Sequence, residues 1–179
     1  MKLYVIRHGL TDANAQKLYN GLLDEDINKK GIEQAEETRK IMSDKEYDLI
    51  YCSPMLRTKH TCQIINDKNK PVIYDDRLKE RTLGDLDGKS LEAEGFSRKK
   101  FFDYNYKSSD EKFEDLPTLF ARVHGFLDEI IKNNKDKNIL IVAHGGILRA
   151  IYFYFNAIPE DKDLSVYVSE NCEINTYEI

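Results

Sequence analysis

An Arg-His-Gly motif at residues 7–9 and a His-Gly-Gly motif at residues 144–146 are the features of this chain that could perform chemistry. Each follows a short apolar run rich in β-branched residues, as buried parallel strands are. If both runs are strands of one parallel sheet, His8 and His144 lie at carboxyl ends, the edge where open α/β sheets build ligand sites. The two histidines would then face one another across a single pocket.

The first motif contains residue types that suit a phosphate ester. Arg7 presents a fixed fork of donors that matches phosphate oxygens, and it stays charged at any plausible pH. Neutral His8 is a competent nucleophile toward phosphorus, and Gly9 lets the backbone approach a ligand closely. Taken alone, the tripeptide is better explained by a strand-end arginine in a surface ion pair beside a packed histidine.

Two further groups are expected at the same edge. Arg57 lies one turn into a helix that Pro54 would begin, although it could equally be a solvated helical arginine. The second motif opens another helix, whose unsatisfied amides, including that of Gly145, favour an anion nearby. His144 could also be a capping or core residue there. Together, two arginines, two histidines and a helix amino end suit a doubly charged tetrahedral oxyanion.

The proton donor that an alcohol leaving group needs is harder to identify. Three carboxylates follow the third strand candidate, at Asp75, Asp76 and Glu80. A carboxylic acid that faces a bound phosphate keeps its proton more readily, because the two negative charges would repel. The residues alone favour Glu80 only weakly, and a solvated acidic turn is the default interpretation.

Alternating strand and helix patterns predict the frame that positions these groups. The strand candidates are residues 2–7, 47–52, 71–74, 138–143 and 173–179, and the helix candidates are residues 31–43, 54–66, 119–133 and 146–155. The first helix carries Ile32, Ala35 and Ile41 as its apolar positions. This alternation predicts an α/β fold, a three-layer α/β/α sandwich with a mostly parallel central sheet.

The length of the chain fits one domain over residues 1–179. Residues 84–116 are richer in charged and aromatic side chains, and a weak helix pattern covers residues 91–102. We interpret residues 84–116 as a small inserted cap over the strand ends.

Composition excludes several classes of partner. The net charge of −5 gives no electrostatic reason to expect nucleic acid or an anionic membrane. No stretch approaches the roughly 20 apolar residues of a membrane span, and the amino terminus runs directly into a strand without a signal peptide.

Cys52, Cys62 and Cys172 lack metal-type spacing, so we expect reduced, mostly buried thiols in a cytoplasmic protein. His60 and His124 lie within helices, and we expect structural or solvent roles for both.

Five blocks, in order and at matching spacing, make nearly the whole chain resemble the histidine phosphatase superfamily, which includes the cofactor-dependent phosphoglycerate mutases. The blocks are Arg7-His8-Gly9 with Thr11 and Asn14, Asn20-Gly21 with residues 31–35, residues 53–58, Leu78-Lys79-Glu80 with Gly84 and Gly88, and His144-Gly145-Gly146 with Arg149. Departures from the family pattern include Leu10, Asp26, Asn28 and Leu86. None of them removes a charged catalytic group, so they bear on substrate fit more than on chemistry.

The resemblance implies a role for each of these groups. His8 would be the nucleophile and form a transient phosphohistidine, and Glu80 would donate the proton and then activate water. The residues that would bind the phosphoryl group or the substrate are Arg7, Asn14, Asn20, Gly21, Arg57, His144 and Gly145. The resemblance implies no metal and no other cofactor.

Within the family, the short stretch between Gly84 and the helix near Leu119 favours a phosphatase over a mutase, whose cap is longer. Leu18-Tyr19-Asn20-Gly21 also resembles the Leu-Tyr-Ser-Gly of α-ribazole phosphatases, so α-ribazole 5'-phosphate is a candidate substrate. The expected partner is therefore a small-molecule phosphate ester, and nothing in the sequence predicts the oligomeric state.

Three alternatives stay open at this point. One is a phosphoglycerate mutase, and another is a catalytically weak protein that binds phosphorylated ligands or partners. A metallohydrolase built on His8 and His144 is disfavoured, because the chain lacks a His-x-His or His-Glu-x-x-His ligand cluster.

Overall fold

A computed structural model describes residues 1–91, 98–110 and 112–179, and its centre is a five-stranded sheet. The strands are β1 (Lys2–Arg7), β2 (Leu49–Cys52), β3 (Val72–Tyr74), β4 (Ile139–Ala143) and β5 (Ile174–Glu178). Their order across the sheet is β3-β2-β4-β1-β5. The first four strands are parallel and β5 runs antiparallel to β1. The predicted mostly parallel sheet is confirmed.

Helices cover both faces of this sheet. In the described ranges they are α1 (Asp12–Ala15), α2 (Lys29–Ser43), α3 (Leu56–Ile65), α4 (Arg98–Phe102), α5 (Leu116–Asn133) and α6 (Gly145–Phe155). Short 3₁₀ turns lie at Asp76–Leu78, Gly84–Leu86 and Leu164–Val166. None of the helices in these ranges combines the length and apolar character that crossing a bilayer requires.

Alternation along the strands divides the interior into two cores, because successive strand residues point to opposite faces. Leu3, Val5 and Ile141 pack with the buried faces of α5 and α6. Tyr4, Ile6 and Leu140 pack with buried residues of α2 and α3 on the opposite face. The three layers predicted from the pattern are therefore present.

The predicted strands end within two residues of the observed ones, and the four long helices within three. The prediction of the apolar positions of α2 was wrong in part. Its buried residues are Gly31, Ala35, Thr38 and Met42, whereas Ile41 is 54% exposed. A side chain at Gly31 would collide with the backbone of Leu10. The helix therefore packs closely along its small-residue edge, which turns Ile41 outward.

In the region interpreted as a cap, the residues that the structure describes contain the short 3₁₀ turn at Gly84–Leu86 and α4, joined by irregular segments. Of the helix pattern at residues 91–102, residues 92–97 lie outside the described residues, and the remainder includes α4. Arg81 lies between two aromatic rings, with its guanidinium carbon 5.3 Å from the Phe101 centroid and 4.5 Å from that of Phe113. That residues 84–116 form an insertion in a single domain stays a prediction.

Candidate active site

The parallel register brings the polar ends of three neighbouring strands together. Arg7 of β1 is paired with Ala143 of β4, and the amide of His8 donates to the Ala143 carbonyl at 3.0 Å. His144 follows directly as the N-cap residue of α6. The rings of His8 and His144 have centroids 5.2 Å apart in an edge-to-face arrangement. The structure thus brings both predicted histidines to one edge.

The ring of His8 is held so that one nitrogen remains available. Nδ1 lies 2.8 Å from the carbonyl oxygen of Gly9, so Nδ1 carries the hydrogen and Nε2 keeps a lone pair. Gly9 is itself anchored, because its amide donates to Thr61 Oγ1 at 3.0 Å. A Cβ at Gly9 would lie 2.5 Å from the carbonyl oxygen of Gly31, so this position requires glycine.

Burial keeps the imidazole of His8 neutral. Desolvation, with smaller contributions from the charges of Arg57 and Arg7, holds the pKa of His8 well below its usual value of 6.5. A neutral ring with a free Nε2 lone pair is the form that can attack phosphorus.

Arg57 is fully buried, and protein acceptors orient its guanidinium. Nη1 donates to the carbonyl of Leu23 at 2.6 Å, and Nη2 donates to that of Gly21 at 2.8 Å. Nε donates to His144 Nδ1 at 3.2 Å. Burial lowers the pKa of Arg57 from its value of 12.5, and the group remains a fixed cation at neutral pH.

Arg7 is a second, half-buried cation at this edge. Its Nη1 donates to the carbonyl of Ser169 at 2.7 Å. Its Nε is buried and has no hydrogen-bond partner in the part of the chain that the structure describes. A Cβ at Gly145 would lie 3.6 Å from the Arg7 guanidinium carbon, so this cation lies against the start of α6. Positive charge therefore gathers at this helix end, where backbone amides also favour an anion.

His144 is completely buried. Its Nε2 lies 2.8 Å from the hydroxyl of Ser53. Burial, followed by the charges of Arg57 and its neighbours, holds the pKa of His144 well below 6.5. The ring is therefore neutral in the free protein at pH 7.

Glu80 is the carboxylate that the structure brings to this edge. It accepts from its neighbour Arg81 N at 2.8 Å and from Gly146 N, in the first turn of α6, at 3.1 Å. Asp75 is bound instead by the Arg77 guanidinium at 2.7 Å, and Asp76 pairs with Lys79 at 3.0 Å on the surface. The position of Glu80 thus separates it from the two carboxylates that the residues alone left as alternatives.

The asparagines predicted to contact phosphate have different surroundings. Asn14 Oδ1 accepts a long hydrogen bond of 3.4 Å from Asn171 Nδ2, which leaves the NH₂ group of Asn14 as its remaining donor. Asn20 donates to Glu25 at 2.6 Å.

Gly21 also differs from its predicted contact with phosphate. The amide of Gly21 donates to Asp87 at 2.8 Å, while its carbonyl holds Arg57. In the structure, therefore, Gly21 supports the arginine, and its direct contact with phosphate stays a prediction, as does that of Asn20.

Three supporting residues had no role in the sequence interpretation. Ser53 contacts His144, Thr61 holds Gly9, and Asn171 donates to the backbone carbonyl of His8 at 2.9 Å. Ser53 lies within a matching block, and Thr61 lies one helical turn after Arg57, which is a usable signal. Asn171 lies before the last strand, and only the fold places it beside His8.

The two remaining histidines lie in other surroundings, as expected. His60 Nδ1 is 2.9 Å from the carboxylate of Asp26, and His124 Nε2 is 3.0 Å from the carbonyl of Ala150. The three cysteines are free and buried. Among the described residues, no group of three or more His, Cys, Asp or Glu side chains is arranged to hold a metal ion.

Comparison with known proteins gives a consistent result. The family model described as histidine phosphatase superfamily (branch 1) matches residues 3–179. The chain is 36% identical over 148 residues to the phosphatase PhoE of Bacillus subtilis, covering 82% of this chain and 73% of that one. It is 31% identical over 186 residues to phosphoserine phosphatase 1 of Hydrogenobacter thermophilus, covering 100% and 85%.

A solved structure extends the similarity to the fold. The alpha-ribazole phosphatase of Shigella flexneri superposes with a TM-score of 0.86 at 27% identity, covering 100% of this chain and 91% of that one.

Proposed function

The chain belongs to the histidine phosphatase superfamily and is a phosphatase, and from this premise we propose that it hydrolyses small phosphate monoesters through a phosphohistidine on His8. The observation that carries the proposal is the free Nε2 of a neutral His8. The ring of His8 lies close to Arg57, which is buried, and to Arg7, which is half-buried, and the charges of both act on it. Fixed cations of this kind stabilise charge on the phosphoryl oxygens without rearranging during the reaction.

In the first step, His8 Nε2 attacks phosphorus in line with the ester oxygen. The N–P bond forms as the P–O bond to the leaving group breaks, and Glu80 in its acid form gives its proton to that oxygen. Arg7 and Arg57 neutralise the charge that spreads over the three equatorial oxygens, and the neutral ring of His144 holds Nε of Arg57 in place.

In the second step, water attacks the phosphohistidine. Glu80, now a carboxylate, takes a proton from the water as the O–P bond forms and the N–P bond breaks. Inorganic phosphate leaves, and His8 returns to its neutral form. Glu80 acts as acid and then as base from one position beside the amino end of α6.

We propose α-ribazole 5'-phosphate as the first substrate to test. The similarity to the Shigella alpha-ribazole phosphatase and the local Leu-Tyr-Asn-Gly at residues 18–21 support this choice. Similarity to a phosphoserine phosphatase makes phosphoserine the second candidate. The phosphoglycerate mutase reaction remains the alternative enzyme activity within the family. The alternative of another class is a catalytically weak protein that binds phosphorylated ligands or partners.

The test is a panel of phosphate monoesters scored by kcat/KM, with and without excess chelator. The panel contains α-ribazole 5'-phosphate, phosphoserine, 3-phosphoglycerate and a nitrophenyl phosphate. We expect release of inorganic phosphate at the same rate in chelator, because the fixed cations do the neutralising. Formation of 2-phosphoglycerate would replace the phosphatase assignment with the mutase, and loss of activity in chelator would refute the metal-free scheme. The absence of turnover with every ester would favour the binding protein.

A further inference from the structure

The geometry points to Ser53 as the positioning residue that holds the orientation of His144 in the tautomer that Arg57 selects. Ser53 follows β2 directly and is fully buried. Its amide donates to the Val142 carbonyl at 3.0 Å, so the sheet itself sets its position beside the end of β4. The inference rests on the proposed function, since it assigns Ser53 to the same phosphoryl-transfer site.

Hydrogen-bond donors around the ring determine where its hydrogen lies. The guanidinium of Arg57 is always protonated, so its Nε–H must donate and Nδ1 of His144 must accept at 3.2 Å. A neutral ring whose Nδ1 accepts carries its hydrogen on Nε2. That hydrogen points to Ser53 Oγ at 2.8 Å, where the hydroxyl oxygen accepts it.

The opposite tautomer would place two donors against one another. With the hydrogen on Nδ1, the ring N–H and the Arg57 N–H would meet, and Nε2 would have only the hydroxyl hydrogen of Ser53. Arg57 therefore selects the tautomer, and the Ser53 hydroxyl holds the ring in place by offering a lone pair to a fully buried Nε2–H that would otherwise lack an acceptor.

This arrangement links Ser53 to the cation that would bind phosphate. Ser53 orients His144, and His144 orients Nε of Arg57. The carbonyls of Gly21 and Leu23 orient the other end of the same guanidinium. Removing the hydroxyl removes one support of a group that acts on charge in the transition state, so we expect kcat to fall more than KM rises.

The other side-chain contacts that Ser53 makes in the described residues use its backbone carbonyl and not its hydroxyl. The Ser53 carbonyl accepts from Thr58 Oγ1 at 2.9 Å and from the Cys52 thiol at 3.2 Å. Those two contacts fix the turn through the backbone. Cys52→Ala is therefore a matched control, because it changes the buried neighbour without touching the hydroxyl or the ring.

The first measurement is a two-bond ¹H–¹⁵N correlation spectrum of the histidine rings in the whole protein, assigned with a His144→Gln variant. We expect the hydrogen of His144 on Nε2 in the wild type and in Cys52→Ala. In Ser53→Ala we expect the hydrogen to stay on Nε2, because Arg57 still donates to Nδ1, but the Nε2 signal should shift and broaden once its acceptor is lost. Ser53→Thr, which keeps a hydroxyl, should restore the wild-type signal.

The second measurement is steady-state kinetics on wild type, Cys52→Ala, Ser53→Ala and Ser53→Thr. We expect kcat to fall by about 10–100-fold in Ser53→Ala, the range typical of removing the hydrogen-bond partner of a functional histidine. Cys52→Ala should keep its kcat, and Ser53→Thr should recover most of it.

A wild-type spectrum with the hydrogen on Nδ1 would overturn the inference, as would full kcat in a folded Ser53→Ala. If Ser53→Ala does not fold, the wild-type and Ser53→Thr spectra still decide the tautomer. If the tautomer is as expected but no ester is turned over, the proposed function fails while the positioning of His144 by Ser53 stands.

Discussion

The carboxyl edge of the sheet and the segment from residue 84 to residue 115 hold their polar groups in different ways. At the sheet edge, His8 and Ser53 are placed by backbone hydrogen bonds to β4. Just before the segment, Arg81 is placed by groups outside the sheet: it lies between Phe101 of α4 and Phe113 and donates to the carbonyls of Phe101 and Glu114.

The difference suggests a division of work between the two regions. Strand register fixes atoms to within the tolerance that phosphoryl transfer requires. Aromatic contacts between side chains outside the sheet tolerate small shifts. Changes at the sheet edge should therefore act on kcat, and changes in the segment should have smaller effects on rate and on stability.

Removal of the nucleophile should have the largest effect. His8→Ala should lower kcat by on the order of 10⁴-fold or more, because no other group can form the covalent intermediate. Wild type mixed with substrate and quenched at alkaline pH, where the N–P bond of phosphohistidine survives, should show one added phosphoryl group by intact-protein mass spectrometry, and the variant should show none. A phosphoryl group on the variant would place the nucleophile elsewhere in the chain.

Removal of the acid should depend on the leaving group. Glu80→Gln should lower kcat/KM by about 10²–10⁴-fold for alkyl phosphates, which need a proton on the departing oxygen. The loss should be much smaller for nitrophenyl phosphate, whose leaving group departs as an anion. Asp76→Asn is the matched control, since that carboxylate pairs with Lys79 on the surface. Equal losses of Glu80→Gln on both esters would contradict the acid role.

His144→Ala should cost about 10²-fold in kcat, by analogy with the loss of one preorganised donor. His60→Ala is the control, because His60 is bound to Asp26 away from the strand ends. A His144→Ala variant with near-normal kcat would show that the sheet edge works without its second imidazole.

The sheet edge could be predicted from the chain because its signals are local. An apolar run followed by a histidine marks a strand end, and parallel strands end at one edge, so His8 and His144 were expected to meet. Glu80 depended on the family resemblance, since three nearby carboxylates looked alike. What identifies Glu80 is its contact with Gly146, which only the fold brings to it, whereas Asp75 is bound by its near neighbour Arg77.

Other features could not be predicted, for physical reasons. The exposure of Ile41 follows from the close approach of Gly31 to the Leu10 backbone, which no periodicity reveals. Asn171 lies far along the chain from His8, whose carbonyl it binds.

The pH dependence of the free energy of unfolding below neutral pH should report the protonation of the two buried histidines, His8 and His144. Their native pKa values lie well below 6.5, so below about pH 6.5 the unfolded state binds protons that the native state does not. The free energy of unfolding should therefore fall as pH decreases, by up to about 1.4 kcal/mol per pH unit for each ring.

Urea unfolding between about pH 7 and about pH 5.5 measures this slope. His144→Gln should make the slope shallower by up to about 1.4 kcal/mol per pH unit. His60→Gln provides the comparison, because His60 is partly exposed beside Asp26. An unchanged slope in His144→Gln would mean that this ring is already charged in the native protein.

The smallest expected effect compares a ring in the core that packs against the sheet with a ring in the segment from residue 84 to residue 115. Phe126 of α5 is fully buried and meets Tyr51 edge to face at 5.3 Å, whereas Phe101 is half-buried and faces Arg81 and Tyr19. Phe126→Leu should lower the free energy of unfolding by about 1–1.5 kcal/mol through lost packing. Phe101→Leu should lower it by about 0.5 kcal/mol, the size of one cation–π contact.

Thermal unfolding and kcat of the two variants measure the difference. Because the ring of Phe101 faces Arg81, Tyr19 and Phe102, which lie outside the sheet edge, its loss should leave kcat unchanged. If Phe101→Leu proves as destabilising as Phe126→Leu, or lowers kcat, the segment is as tightly coupled to the centre as the sheet is, and the division of work between the two regions is wrong.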